Sequence, residues 1–281
     1  MPSLFLVSTP IGNLGDLTHR AVEVLGRVDV ILAEDTRRTG TLLKHFGIEG
    51  RLISAHEHNE SARARLVVEL LGEGKDVALV SDAGTPLLSD PGARLVGATL
   101  EAGYEVVPIP GASALLAALV ASGLSADRFT FYGFIPRKGG SRGDLLQEIA
   151  ASPHTSVLYE APQRVARLVE DLQGVAGAER RVVLARELTK LHEEHFRGTL
   201  AEAAQRLAER EPRGEFVVLL EGRGHDKANT GEVAAEAQAL AEALLARGLA
   251  PSAVARELRE RLSIARNDAY QIAQEAADRQ V

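Results

Sequence analysis

The stretch Ser81-Asp82-Ala83-Gly84-Thr85-Pro86-Leu87-Leu88-Ser89-Asp90-Pro91-Gly92 carries two acids, two glycines and two prolines between an apolar run and a helix-like segment. A turn needs only about two to four residues, so a dozen small and polar ones suggest a loop built to hold something. Glycines 84 and 111 let backbone N–H and C=O groups approach a ligand with no side chain in the way. Three other segments have similar wording: Ser8–Asp16 (STPIGNLGD), Ala33–Thr39 (AEDTRRT) and Pro108–Ser113 (PIPGAS). None is a dinucleotide fingerprint, because no GxGxxG follows the first apolar run. Gly12–Asp16 also lacks the Walker lysine and the Ser/Thr after it. With no cysteine, and eight histidines without HxxxH or HExxH spacing, no metal site is expected.

The elements that position these loops follow from periodicity. Apolar runs at Leu4–Val7, Val28–Leu32, Val77–Val80 and Tyr104–Ile109 predict strands, with helices beginning near Thr18, Thr36, Asn59, Asp90 and Ala112. That βαβ rhythm predicts a mainly parallel sheet. A less regular set predicts a mixed sheet: strands at Arg128–Phe134, Ser156–Tyr159, Val182–Ala185 and Phe216–Leu220, with helices near Gly143, Gln163 and Ala201. The expected organisation is an α/β domain over 1–110, a second over 111–222, a polar linker at 223–231 and a helical tail at 232–281, with turns at Arg247–Ser252 and near Leu262-Ser263. Joining the halves near Pro110-Gly111 places a cleft between them. The loops at strand C-termini face such crevices, where open sheets bind ligands.

Composition narrows the class. The chain has 281 residues, 45% hydrophobic and 25% charged, and contains no run of eighteen apolar residues. Its N-terminus turns polar after one short strand, so neither a membrane span nor a signal peptide is expected and the cytoplasm is the default address. A net charge of −7 argues against a protein that coats nucleic acid non-specifically, but leaves room for local basic patches.

In order along residues 3–222, STPIGNLGDLTHRA (Ser8–Ala21), AEDTRRT, SDAGTPLLSDPG, PIPGAS, YEAPQR (Tyr159–Arg164), RELTK (Arg186–Lys190) and GEFVVLLEG (Gly214–Gly222) resemble the tetrapyrrole methylase superfamily, specifically its small-subunit ribosomal RNA methyltransferases. Tetrapyrrole methylases proper usually carry GxGPGD and a central GDP; here those places read STPIGNLGD and SDAGTP, which favours the RNA branch. The resemblance implies a two-domain methylase fold with a small helical C-terminal domain, a homodimer, and S-adenosylmethionine in the interdomain cleft. It also implies 2'-O-methylation of a decoding-centre cytidine in 16S rRNA, within the 30S subunit. One departure stands out: the family's YExPHR reads YEAPQR here, with Gln163 in place of the histidine.

Methyl transfer from a sulfonium to a ribose hydroxyl is an in-line displacement whose methyl group is already activated, so alignment and desolvation dominate and no metal is required. A base or cation near the hydroxyl adds about 10² to 10⁴. Lys190, Glu160, Asp82 and His56 are the candidates, with Lys190 first, because a lysine desolvated beside a sulfonium has its pKa lowered. The alternative for Lys190 is a surface pair with Glu187 or Glu193. Donor contacts are assigned to the backbone of Asp82, Ala83 and Gly84, to Ser113, to Tyr159–Ala161, and to Pro10, Thr189 and Glu215. Ser113 also suits a helix N-cap, and Asp35 with Arg37 suits the start of the next helix. RNA contacts are assigned to Arg37 and Arg38, and to Arg137, Lys138 and Arg142 in a glycine-rich loop.

Two other functions compete. One is methylation of a small tetrapyrrole. The other is a ligand-responsive DNA binder with a helix-turn-helix tail, against which residues 232–281 hold six arginines and eight acids.

Overall fold

The computed structural model describes residues 1–209, 211–223, 227–262 and 266–279. The chain divides into two compact units, Met1–Gly222 and Arg223–Val281.

In the first unit the leading βα series runs β1 (Ser3–Val7), α1 (His19–Arg27), β2 (Val30–Ala33), α2 (Thr36–His45), β3 (Leu52–Ser54), α3 (Glu60–Gly72), β4 (Val77–Val80), α4 (Ala93–Glu101) and β5 (Glu105–Ile109). Its strands form a wholly parallel sheet in the order β3-β2-β4-β1-β5. Both faces are covered, which is why β4 reads as an unbroken apolar run. Ala78 and Val80 pack with Ala21, Val24 and Leu43 on one face, while Val77 and Leu79 pack with Val67, Leu70 and Leu95 on the other. Side-chain oxygens start the helices beside the cleft: Thr18 accepts from Ala21 N at α1, and Asp35 from Arg37 N at α2.

The second series is α5 (Ala114–Ser122), β6 (Phe129–Phe134), α6 (Gly140–Ala151), β7 (Thr155–Glu160), α7 (Pro162–Ala176), β8 (Arg181–Arg186), β9 (Glu194–Thr199), α8 (Leu200–Glu209) and β10 (Phe216–Leu220). Its sheet is mixed, in the order β6-β7-β10-β8-β9. Only β6 and β7 pair in parallel, because β10 runs antiparallel to β7 and β8, and β9 antiparallel to β8. Along β10, Phe216, Val218 and Leu220 face α6, α7 and α8, while Val217 and Leu219 face α5. The α/β architecture with one parallel and one mixed sheet is the one expected.

The segment expected to be a basic loop is not one throughout. Helix α6 starts at Gly140 rather than near Gly143. Arg142 is thereby turned inward, its side chain 8% exposed. Its Nη2 and Nε donate to Asp171 Oδ2 at 2.6 and 3.1 Å, and its Nη1 to the Pro136 carbonyl at 2.9 Å. This corrects the assignment of Arg142 to RNA: a guanidinium spent on three internal bonds has none for phosphate. Arg142→Ala is expected to lower stability by about 1–3 kcal/mol in denaturant melts, through the loss of a buried guanidinium's packing and its bonds to Asp171 and the Pro136 carbonyl. It should leave the salt dependence of RNA binding unchanged. Arg137 and Lys138 stay exposed, and removing both should flatten the slope of log affinity against log salt by about 1.4 for single-stranded contacts.

The second unit has helices α9 (Lys227–Ala246), α10 (Pro251–Leu262) and α11 (Arg266–Asp278), closed around Ala237, Ala241, Leu244, Val254, Leu258, Ala269 and Ala273. Helix α9 begins inside the expected linker, so 227–231 are helical. Residues 224–226 of that linker, and Ser263 of the expected turn, lie outside the described residues.

Candidate active site

Within the first unit, the C-terminal ends of β1 and β4 are joined by a bridge. Thr9 N donates to the Gly84 carbonyl at 2.9 Å and Gly84 N to the Thr9 carbonyl at 3.0 Å. Ser81 Oγ reaches the same Gly84 carbonyl at 3.3 Å, and Ser8 Oγ lies 3.1 Å from Thr85 Oγ1. Gly84 has φ +84, a conformation that suits glycine. Its backbone polar groups are therefore already partnered. The expectation that they contact the methyl donor directly is corrected: Gly84 locks two loops together.

A cavity of about 500 Å³ opens beside this junction, in the size range of small-molecule sites. From the parallel-sheet side it is lined by Ile11, Glu34, Arg38, the loop Asp82–Thr85, Leu88, Ser89 and Asp90. From the mixed-sheet side come Ser113, Phe134, Tyr159–Gln163, Leu188, Lys190 and Glu215. Of the expected donor contacts, Asp82, Ala83, Gly84, Ser113, Tyr159, Ala161 and Glu215 are brought together there. Pro10 and Thr189 are not among the lining residues; Thr189 Oγ1 instead accepts from Asn13 N at 3.1 Å. Ser113 also caps α5, accepting from Leu116 N at 3.5 Å. Four non-glycine residues adopt positive φ in two loops at this site: Leu87 and Ser89, Glu187 and Thr189. Such strain costs about 1–3 kcal/mol per residue and clusters at functional sites.

Five carboxylates line the cavity, and three of them, Asp82, Asp90 and Glu34, come from the parallel-sheet side. Asp82 is fixed from both oxygens: Oδ1 accepts from Asp35 N at 2.9 Å and Oδ2 pairs with Arg38 at 3.1 Å. Asp90 is pushed up to about 6, first by burial and then by the charge of Glu34, against a hydrogen bond from Ser81. Glu34 is raised as well, by burial and by Asp82. Sequence reasoning missed Glu34 and Asp90 as site residues, although Asp90 stood in the quoted loop.

Lys190 corrects a second expectation. Its Nζ donates to Glu187 Oε1 at 2.8 Å and Glu215 Oε2 at 2.9 Å. Burial alone would push its pKa down, but the two carboxylates outweigh burial and raise it. Lys190 is therefore held as a cation, not poised to accept a proton. Glu160, the other catalytic candidate, is buried: Oε1 accepts from Ala161 N at 2.9 Å, and Oε2 lies 3.1 Å from Arg164 as an ion pair without hydrogen-bond geometry. Both oxygens anchor the 159–164 turn. His56 is engaged with Asn59, Nε2 at 3.2 Å from its amide nitrogen, and does not line the cavity. Of the residues assigned to RNA, Arg38 lines the cavity; Arg37 is exposed and bonded to Asp35. Among the described residues no His/Cys/Asp/Glu group could hold a metal ion, and no helix is long and apolar enough to cross a membrane.

Comparison with known proteins converges on one family. The family model "Tetrapyrrole (Corrin/Porphyrin) Methylases" matches residues 3–204. The chain is 48% identical over 276 residues to "Ribosomal RNA small subunit methyltransferase I" of Synechocystis sp., covering 98% of each chain. It is 50% identical over 221 residues to the protein of that name from Escherichia coli O157:H7, covering 78% of this chain and 77% of the relative. It is 45% identical over 278 residues to the one from Micromonospora olivasterospora, covering 99% and 88%.

Proposed function

Since the chain belongs to the tetrapyrrole methylase family, as a methyltransferase whose methyl donor is S-adenosylmethionine, we propose that its acceptor is the 2'-hydroxyl of a decoding-centre cytidine in 16S rRNA. We further propose that it acts on the 30S subunit, in the cytoplasm, as a homodimer. The observation that carries the reading is the cavity itself: acidic inside, apolar and aromatic along one wall, with Arg38 in its lining. A sulfonium cation suits the first property and a polyanion the last. The apolar face of α5, where Leu116 and Val120 are exposed, supports a homodimer.

The donor supplies a methyl group already activated on a cationic sulfur. The chain's work is to bind, align and exclude water. The Thr9–Gly84 junction holds the two parallel-sheet loops in register, and the 159–164 turn, fastened by Glu160 and Arg164, closes the opposite wall. Lys190, kept charged, favours the alkoxide form of an acceptor hydroxyl placed near it.

Labelled S-adenosylmethionine offered with either 30S subunits or a corrin precursor tests the acceptor class. Nuclease digestion and mass spectrometry then locate the methyl group. Label on a cytidine ribose of 16S rRNA is expected; label on the tetrapyrrole alone, or on a base nitrogen, would overturn the proposal.

Asp90 gives the cavity a pH dependence of definite sign. Its pKa in the folded protein exceeds the ordinary 3.8, so its contribution to stability is complete at low pH and is lost as pH rises through about 6. The carboxylate formed over that window attracts a cation. Affinity for S-adenosylmethionine should therefore rise several-fold between about pH 5 and 7.5, a partly screened charge pair being worth about 1 kcal/mol. Affinity for S-adenosylhomocysteine, with its neutral sulfur, should not. Calorimetry on Asp90→Asn should show the donor's pH dependence reduced, the remainder belonging to Glu34.

A further inference from the structure

Phe134, at the end of the edge strand β6, lines the cavity and is more than half exposed, at 54%, whereas phenylalanine is among the residues most often buried. The backbone puts it there. In the pairing of β6 with β7, Phe131 opposes Val157, Gly133 opposes Leu158 and Phe134 opposes Tyr159, so one extra residue is accommodated between Phe131 and Gly133. Side chains three apart on a regular strand point to opposite faces. The bulge brings Phe131 and Phe134 to the same face, both edge-on to Tyr159, with ring centroids 4.9 and 5.7 Å away. Bulges beside active sites commonly re-aim a side chain in this way. This one is keyed to the donor loop: Gly133 has φ +61, and a Cβ there would lie 2.7 Å from Ser89 Oγ.

We propose that Phe134 is the stacking platform for a nucleobase of the RNA; this rests on the acceptor being RNA, as proposed above. Tyr159, itself packed against Phe131, braces the Phe134 ring edge-on, leaving it a preordered apolar surface. Arg137 and Lys138 follow within three and four residues, at most about 14 Å of extended chain. Both are exposed and, among the described residues, neither is in an ion pair. Base stacking on an aromatic beside cations that track the backbone is how single-stranded RNA is held without a paired partner.

The chain contains no tryptophan, so Phe134→Trp in the full-length protein provides a single selective fluorophore at the proposed contact. Phe134→Ala and Phe134→Leu are expected to weaken binding of 16S rRNA transcript about 5- to 150-fold, the range for losing one base–aromatic stack. Affinity for S-adenosylmethionine, whose cavity Phe134 also lines, should fall far less than affinity for RNA. Phe134→Trp should restore RNA binding, and its emission should be quenched by RNA but not by S-adenosylhomocysteine alone. Wild-type RNA affinity in Phe134→Ala would overturn the proposal. So would quenching by S-adenosylhomocysteine alone, which would place the donor's adenine on this ring, or quenching by protein concentration, which would place a second copy there. Failure of the wild-type protein to methylate any RNA defeats the acceptor reading instead, a result read in a separate assay.

Discussion

Gly84→Val is expected to reduce affinity for S-adenosylmethionine by about 100-fold or more, equivalent to about 2.7 kcal/mol of binding energy, while leaving the protein folded. The β-branched side chain is strongly disfavoured at φ +84, and its Cβ would lie 3.2 Å from Ile11 Cγ2, in the loop that follows β1. Backbone strain of this kind costs about 1–3 kcal/mol. Relief by local opening breaks the paired hydrogen bonds to Thr9 and lets the 81–92 loop drift from the wall it shares with Ile11. The sheet cores beneath are untouched. Gly84→Ala should show the same effects in weaker form. Titration calorimetry and thermal melts on both variants separate the losses, and a folded valine variant with wild-type donor affinity would remove this loop from the donor site.

Lys190→Ala is expected to lower the turnover number by about 100-fold at saturating donor and RNA, the scale for removing one fixed electrostatic group from a charge-developing centre. Donor affinity should move only a few-fold. Because Glu187 and Glu215 hold the lysine charged, the wild-type rate should show no ionisation belonging to Lys190 between pH 6 and 9. A rising limb in that window that disappears in Lys190→Ala would restore the neutral-base role that the ion pairs argue against. Lys190→Arg should recover part of the rate, because it keeps the charge but not the geometry. Release of Glu187 is a separate consequence: its pKa, now lowered by the Lys190 hydrogen bond, should climb in the alanine variant.

The parts of this protein that could be read from the sequence are those whose causes are local. Val77–Val80 and Phe216–Leu220 are apolar throughout because each strand is covered on both faces, and their bounds follow from composition alone. The cleft loops announced themselves through glycine, proline and small polar residues. Strand β9, Glu194–Thr199, gave no such signal, because it is an edge strand whose polar sequence is held by pairing to β8. Arg142 looked like a loop cation because its partner, Asp171, lies 29 residues away in another helix. The lysine's expected depression depended on burial; its actual elevation depends on Glu187 and then on Glu215, 25 residues further on. Glu34 raises Asp90 only once two separate strand ends meet. The bulge that turns Phe134 into the cavity leaves no mark beyond a single glycine.

Strand β1 is made before both of its neighbours, yet it lies inside its sheet, hydrogen-bonded to β4 on one side and β5 on the other. Both partners are synthesised later, the second ending at Ile109. A nascent chain therefore carries β1 unpaired on both edges until β4 is made and unpaired on one edge until β5 is made, and sheets closed by such distant pairings form slowly. The Thr9–Gly84 junction inherits the delay, since it stands at the end of that strand. Donor-binding competence comes later still in synthesis, because the cavity also needs Tyr159–Gln163 and Glu215 of the mixed-sheet series.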